Sequence, residues 1–178
     1  MRILFYDDPV AHTGPSIFLA GPTAGAGGRT AWRAQALALL SGHGFDGTVL
    51  IPEFHDTPFA DAAPRRFGAP PSPVPRMKAT TYNILRWETG GIEGATVVLF
   101  WMPFVIGVEG DPASLPGFTT RAEVGRELAR APHRLVLGMP TEDVVSGGHI
   151  RYHAHHHGVT IHDSLEATVL AAITRCAG

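Results

Sequence analysis

The chain has 178 residues, 44% of them hydrophobic, which is enough for one domain with a sizeable core and too apolar for an intrinsically disordered segment. Its formal net charge is −2, so nothing electrostatic favours nucleic acid or an anionic membrane surface as a partner. No apolar run approaches the ~20 residues of a membrane-spanning helix, and the single Cys176 can close no intrachain disulfide, which fits a reducing, cytoplasmic setting.

In chain order, residues 3–6 read as a short first strand at a sheet edge rather than as a signal peptide, since two Asp follow the apolar run. Residues 17–20 form a second strand, stopped by Gly21-Pro22. Residues 30–41 carry Trp32, Ala36, Leu39 and Leu40 at helical spacing, and His43-Gly44 ends that helix. Residues 48–51 are a strand closed by Pro52-Glu53. Residues 54–75 then hold six of the fifteen prolines, and a loop of that length in a compact domain is expected to border a binding site. A helix is expected over 77–92, its end weakened by Gly90-Gly91. The continuous apolar run 96–101 reads as a strand buried on both faces. A helix carrying Glu123 follows to about residue 131, then a strand over 134–138, a helix over 148–157, a short strand over 160–162, and a final helix over 165–176 started by Asp163 or Ser164. Strands alternating with helices, with no internal repeat and no linker, imply one doubly wound domain.

In such a sheet, ligands sit beyond the carboxyl ends of the strands. Glu123 is therefore expected at the mouth of a crevice, in the first turn of its helix, where the helix dipole favours an ionised carboxylate able to act as a nucleophile. Thr120-x-x-Glu123 also fits a capping box, a purely structural use of the same residues. Glu53, Glu109 and Asp111 fall near strand ends as well. Tyr82, Trp87 and Glu88 lie on the helix after the Pro-rich loop, where an aromatic ring beside a carboxylate suits a heteroaromatic base, although each ring taken singly suits a core better than a site. The turn at Gly21-Pro22 and the glycines through Gly28 let backbone approach a ligand closely, but they match neither a P-loop nor G-x-G-x-x-G. His149, His153, His155, His156 and His157 lack the accompanying pattern of a zinc site and read as a solvated helix face or a subunit contact, so no metal or cofactor is expected. There is no G-x-S-x-G elbow.

These segments together resemble the nucleoside 2-deoxyribosyltransferase-like family. The matching strings are SIFLAGPT from Ser16, Trp32-Arg33, GFDGTVLIPE from Gly44, Trp87-Glu88, ATVVLFWMP from Ala95 and LPGFTTRAEVG from Leu115, in order over most of residues 16–140. The PGFTT-x-x-E-x-G string is the most specific. The resemblance implies a flavodoxin-like α/β fold: a mostly parallel five-stranded sheet with helices on both faces, plus the short N-terminal extra strand. It implies Glu123 as the nucleophile that takes a 2-deoxyribosyl group from a (deoxy)nucleoside and passes it to another nucleobase. Glu88 aligns with the acid that contacts the base. Gly21, Pro22, Glu53, Trp87, Asp111, Gly117, Phe118, Thr119 and Thr120 are expected to contact substrate. Where the family carries an aspartate a few residues before the nucleophile, this chain has Pro116 to Thr120, leaving Asp111 or Glu109 as the nearest substitutes. The expected partners are a nucleoside or nucleotide, an acceptor base and further copies of the chain. Two other readings stand beside transfer. One is a nucleoside 5′-monophosphate N-glycosidase that releases base to water, with Gly25 to Gly28 or Arg29 on the phosphate. The other is a nucleotide-binding protein without turnover.

Overall fold

The structure, a computed structural model, describes residues 1–22, 32–53, 81–103, 118–140 and 148–178. The elements are β1 (Arg2–Leu4), β2 (Ser16–Ala20), α1 (Trp32–Gly42), β3 (Thr48–Leu50), α2 (Thr81–Gly94), β4 (Val97–Trp101), α3 (Phe118–Arg130), β5 (Leu135–Gly138), α4 (Gly148–His156), β6 (Ile161–His162) and α5 (Leu165–Ala177). The strands form one six-stranded sheet in the order β1-β3-β2-β4-β5-β6, and every neighbouring pair is parallel. Among the described residues, the expected mostly parallel sheet of five strands with its short N-terminal extra strand at an edge is one sheet of six, wholly parallel. β1 is a registered member of it, Arg2 opposite Thr48 and Leu4 opposite Leu50. Strands β2 to β6 alone run in the order that characterises flavodoxin-like sheets, which reverses direction between β2 and β4.

β4 lies at the centre, between β2 and β5, and all five of its residues are buried. The period of two divides them between two cores. Val97, Leu99 and Trp101 pack with Trp32, Ala36, Leu37 and Leu40 of α1 and Val169 and Ala172 of α5. Val98 and Phe100 pack with Ile92 of α2, Val124 and Leu128 of α3, and Ile150 and Ala154 of α4. Helices therefore cover both faces, as a parallel sheet requires. The strand starts one residue later than the apolar run because Thr96 and Ser16 pair through their side chains: Ser16 N–H donates to Thr96 Oγ1 (3.1 Å) and Thr96 N–H donates to Ser16 Oγ (3.0 Å).

The stop of α1 at Gly44 follows from backbone conformation. Gly44 has φ 74°, Gly44 N–H donates to Ser41 O (3.1 Å) and Phe45 N–H donates to Leu40 O (2.9 Å), the paired bonds of a Schellman end. At the start of α5, Ser164 rather than Asp163 is the cap, its hydroxyl accepting from Ala167 N–H at 3.2 Å.

Gly90-Gly91 does not end α2, which runs on to Gly94. Position 91 is small for packing: a Cβ there would sit 2.7 Å from Cε2 of Phe18, a buried side chain of β2, and 3.3 Å from Leu50 Cδ2. Gly91→Ala gains about 1 kcal/mol of helix propensity, yet overpacking costs about 1–3 kcal/mol. The expected outcome is a net loss of stability in urea denaturation; a more stable variant would show that Phe18 can swing away.

Among the described residues, no helix is long and apolar enough to cross a membrane. The expected loop over 54–75, the glycines 25–28 and Arg29 lie outside them.

Candidate active site

Three strand ends and three helices meet at the carboxyl edge of the sheet and bring titratable side chains together there. The chain leaves β1 through a tight turn in which Asp8 Oδ2 accepts from Phe5 N–H and Asp8 N–H donates to Phe5 O, both at 2.9 Å. Tyr6 N–H donates to Glu53 O (3.0 Å), which ties this turn to the end of β3. The Tyr6 ring lies edge-on to Trp87, centroids 5.1 Å apart, and Trp87 Nε1–H donates to Asp8 O at 2.9 Å. So placed, Tyr6 donates its hydroxyl to Glu88 Oε1 at 2.5 Å. Burial and then Glu88 raise the Tyr6 hydroxyl well above its ordinary range, so it remains a donor.

Glu123 stands on α3, half-buried. Burial first, and the negative charge of Glu88 second, push its carboxyl up to about 7, with Arg126 and Arg33 acting in the opposite sense and Glu127 adding to the rise. This corrects two expectations. Helix α3 begins at Phe118, so Thr120 is inside the helix and Glu123 lies in the second turn, beyond a capping box. The helix dipole acts mainly within the first turn, and desolvation outweighs it, so the carboxylate is not held ionised but poised near neutrality.

Arg33, 2% exposed, supplies the buried cation. It donates from Nη1 to Glu53 Oε1 (2.6 Å), from Nη2 to Gly21 O (2.6 Å) and from Nε to Leu19 O (3.1 Å). Burial pulls its guanidinium down and Glu53 pulls it back up; a guanidinium starts high enough to stay charged. Trp32 Nε1–H donates to Pro22 O (2.9 Å), so both carbonyls of the Gly21-Pro22 turn are held by α1. Gly21 has φ 147°, and a Cβ on it would collide with the carbonyl oxygen of Trp101 and lie 2.9 Å from Trp32 Cζ2. That turn is therefore seated at the reversal of strand order between β2 and β4, where doubly wound sheets bind ligands.

Of the residues expected from sequence, Glu88 and Glu123 are brought into one electrostatic cluster, and Gly21 and Pro22 form its neighbouring turn. Glu53 points inward, 5% exposed and paired with Arg33, rather than outward as a ligand contact. Trp87 is half-buried and packs on Phe18 and Tyr6. Thr119 is exposed and Thr120 is 5% exposed. Glu109, Asp111, Gly117 and the side chains of Tyr82 and Phe118 lie outside the described residues. A groove of about 680 Å³ runs along α2 past Val10, Asn83, Arg86, Trp87 and Glu93, and its lining includes neither Glu88 nor Glu123.

The sequence reading overlooked Tyr6 and Arg33 as site residues. Arg33 has a signal: with Ala36, Leu37 and Leu40 it lies on the buried stripe of α1, at i, i+3, i+4 and i+7, where a cation demands a partner. Tyr6 has only its place just after a strand. The histidines of α4 and its end are exposed, Tyr152 stacking on His156 with centroids 6.4 Å apart. Among the described residues, no group of three His, Cys, Asp or Glu could hold a metal ion.

Fold and side chains together define an α/β protein with a coupled acid pair beyond the carboxyl ends of a parallel sheet. No model of a known protein family matches the chain, and no curated protein matches it.

Proposed function

We propose that the protein cleaves the N-glycosidic bond of (deoxy)nucleosides and transfers the 2-deoxyribosyl group to another nucleobase, with Glu123 as nucleophile and Glu88 assisting the base. The observation that carries this reading is the half-buried Glu123 carboxyl, pushed up to about 7 and coupled to a second acid that a tyrosine holds in place. Paired carboxyl groups in different environments are what two-step displacement at an anomeric carbon needs. The carboxylate oxygen of Glu123 forms a bond to C1′ as the C1′–N bond breaks, its electron pair leaving with the base. Glu88, as a carboxylate, accepts a hydrogen bond from an N–H of the base and orients it, while solvent supplies the proton that the departing ring nitrogen takes up. The acceptor base then attacks C1′, gives up its proton to solvent and releases the Glu123 carboxylate, with net retention. A desolvated carboxylate attracts the oxocarbenium charge of the transition state more strongly than a hydrated one. Tyr6 orients Glu88 by binding Oε1 and leaves Oε2 outside that bond.

Incubation with nucleosides and 5′-monophosphates, with and without an acceptor base, tests the reading by product separation. New nucleoside formed only with acceptor is the expected result. Free base from monophosphates without acceptor would mean hydrolysis, and binding with no product would mean a ligand-binding protein.

The charge state of Glu123 sets a pH dependence. The nucleophile must be ionised, so kcat/KM is expected to rise with pH through about 7 on its acid limb. Glu88→Gln removes the like charge, which favours ionisation of Glu123, so the limb should move to lower pH while kcat falls. A limb that stays in place in this variant would remove the coupling between the two acids.

A further inference from the structure

We propose that Arg33 is a positioning residue: its buried guanidinium fixes the Gly21 carbonyl at the strand-order reversal and provides the cation that supports negative charge on the Glu88–Glu123 pair. The geometry behind this is a fork used on all three of its nitrogens. Nε holds Leu19 O and Nη2 holds Gly21 O, two carbonyls of one strand end, while Nη1 binds Glu53 at the end of the adjacent strand β3. A planar guanidinium can do this at once; an ammonium cannot. A buried ion pair is a poor source of stability compared with apolar packing, so a fully buried Arg beside an acid pair calls for another use. Contacts tie the fork to the pair: Arg33 Nη1 donates to Glu53 Oε1 (2.6 Å), Glu53 O accepts from Tyr6 N–H (3.0 Å) and the Tyr6 hydroxyl donates to Glu88 Oε1 (2.5 Å), and across this chain the Arg33 charge favours the ionised form of Glu123.

The groups facing Glu123 are Tyr6 from the turn after β1, Arg33 from α1, Glu88 from α2, and Arg126 and Glu127 from its own helix. Burial and then Glu88 oppose its charged form, as does Glu127 more weakly; Arg126 and then Arg33 favour it. Of the two cations, Arg126 is 40% exposed at its side chain and is screened by solvent, whereas Arg33 is 2% exposed. The buried one therefore acts through the lower dielectric.

The role of the acid pair rests on the proposed function, but the test does not need turnover. The full chain is labelled with ¹³C at Glu side-chain carboxyls, and the Glu123 signal is assigned by its loss in Glu123→Gln. In Arg33→Gln/Glu53→Gln, which removes both charges and keeps hydrogen-bonding groups, the Glu123 titration midpoint is expected to rise by about half a pH unit or more. In Arg33→Lys, which keeps the charge and loses the fork, the midpoint should stay, while amide exchange in the Gly21 turn should quicken by about tenfold or more. A midpoint unchanged in the paired variant overturns the electrostatic role. Unchanged exchange around Gly21 in Arg33→Lys overturns the positioning role. Either result is independent of whether any nucleoside is turned over.

Discussion

Replacing Glu123 by Gln is expected to abolish turnover and, at the same time, to make the protein more stable above neutral pH. The first effect follows from chemistry: an amide cannot attack C1′, so kcat should fall by at least about 1,000-fold. A glycosyl adduct trapped with a slowly hydrolysed 2-fluoro nucleoside and seen by mass spectrometry should disappear as well. The second follows from linkage. The folded carboxyl titrates at about 7 against an ordinary 4.5, so between those values the folded protein keeps a proton that the unfolded chain has released. Stability contributed by this group therefore falls as pH rises through that window. The whole interval is worth about 3 kcal/mol, which partial exposure and solvent screening reduce to about 1–2 kcal/mol. Gln carries no such titration. In urea denaturation, native protein and variant should match near pH 5, and the variant should lead by about 1–2 kcal/mol near pH 8. Base release that persists in the variant would sink the nucleophile assignment; an equal stability gap at both pH values would sink the buried-acid account.

The second large effect is expected at Glu53. Glu53→Leu leaves Arg33 buried without its carboxylate, and stranding a buried charge costs about 3–5 kcal/mol, enough to unfold a marginally stable domain. The pair variant Arg33→Met/Glu53→Leu removes both charges and should recover most of that loss. The loss is measured from denaturant midpoints. A loss below about 1 kcal/mol in Glu53→Leu would mean that water reaches Arg33 and that the pair is not sealed.

The sheet was legible where burial alone dictated sequence. Val97 to Trp101 must be apolar on both faces because helices cover both, and the run shows it. Helix ends governed by backbone conformation, such as Gly44, could also be read, whereas the sequence left Asp163 and Ser164 open as the cap of α5. Gly91 misled because glycine there answers to the ring of Phe18 in another element, which no local pattern carries. The start of α3 was misplaced for a related reason: Thr120 looks like a cap in sequence but is 5% exposed inside the helix. At the candidate site, Glu123 could be picked out as an acid on the helix that follows a strand outlet, and Glu88 as an acid beside an aromatic ring on the helix after the Pro-rich segment. Their charge states could not, because the rise at Glu123 comes from burial and from a residue on a different helix. Tyr6 and the Arg33–Glu53 pair depend on contacts across 82 and 20 positions of chain, and only the packed sheet brings them together.

The outer strands bear on how copies of this chain behave when crowded. β1 has three residues and β6 has two, so each flank of the sheet offers little exposed backbone on which a foreign strand could template itself. β3, the strand that β1 shields, is buried at every position and apolar at two of three. Clipping the first few residues would therefore uncover a sticky flank, and the same cut would take away the hydroxyl that steadies Glu88. A processed form would lose colloidal behaviour and acid-pair geometry together, because one short strand guards the rim of the sheet and delivers Tyr6.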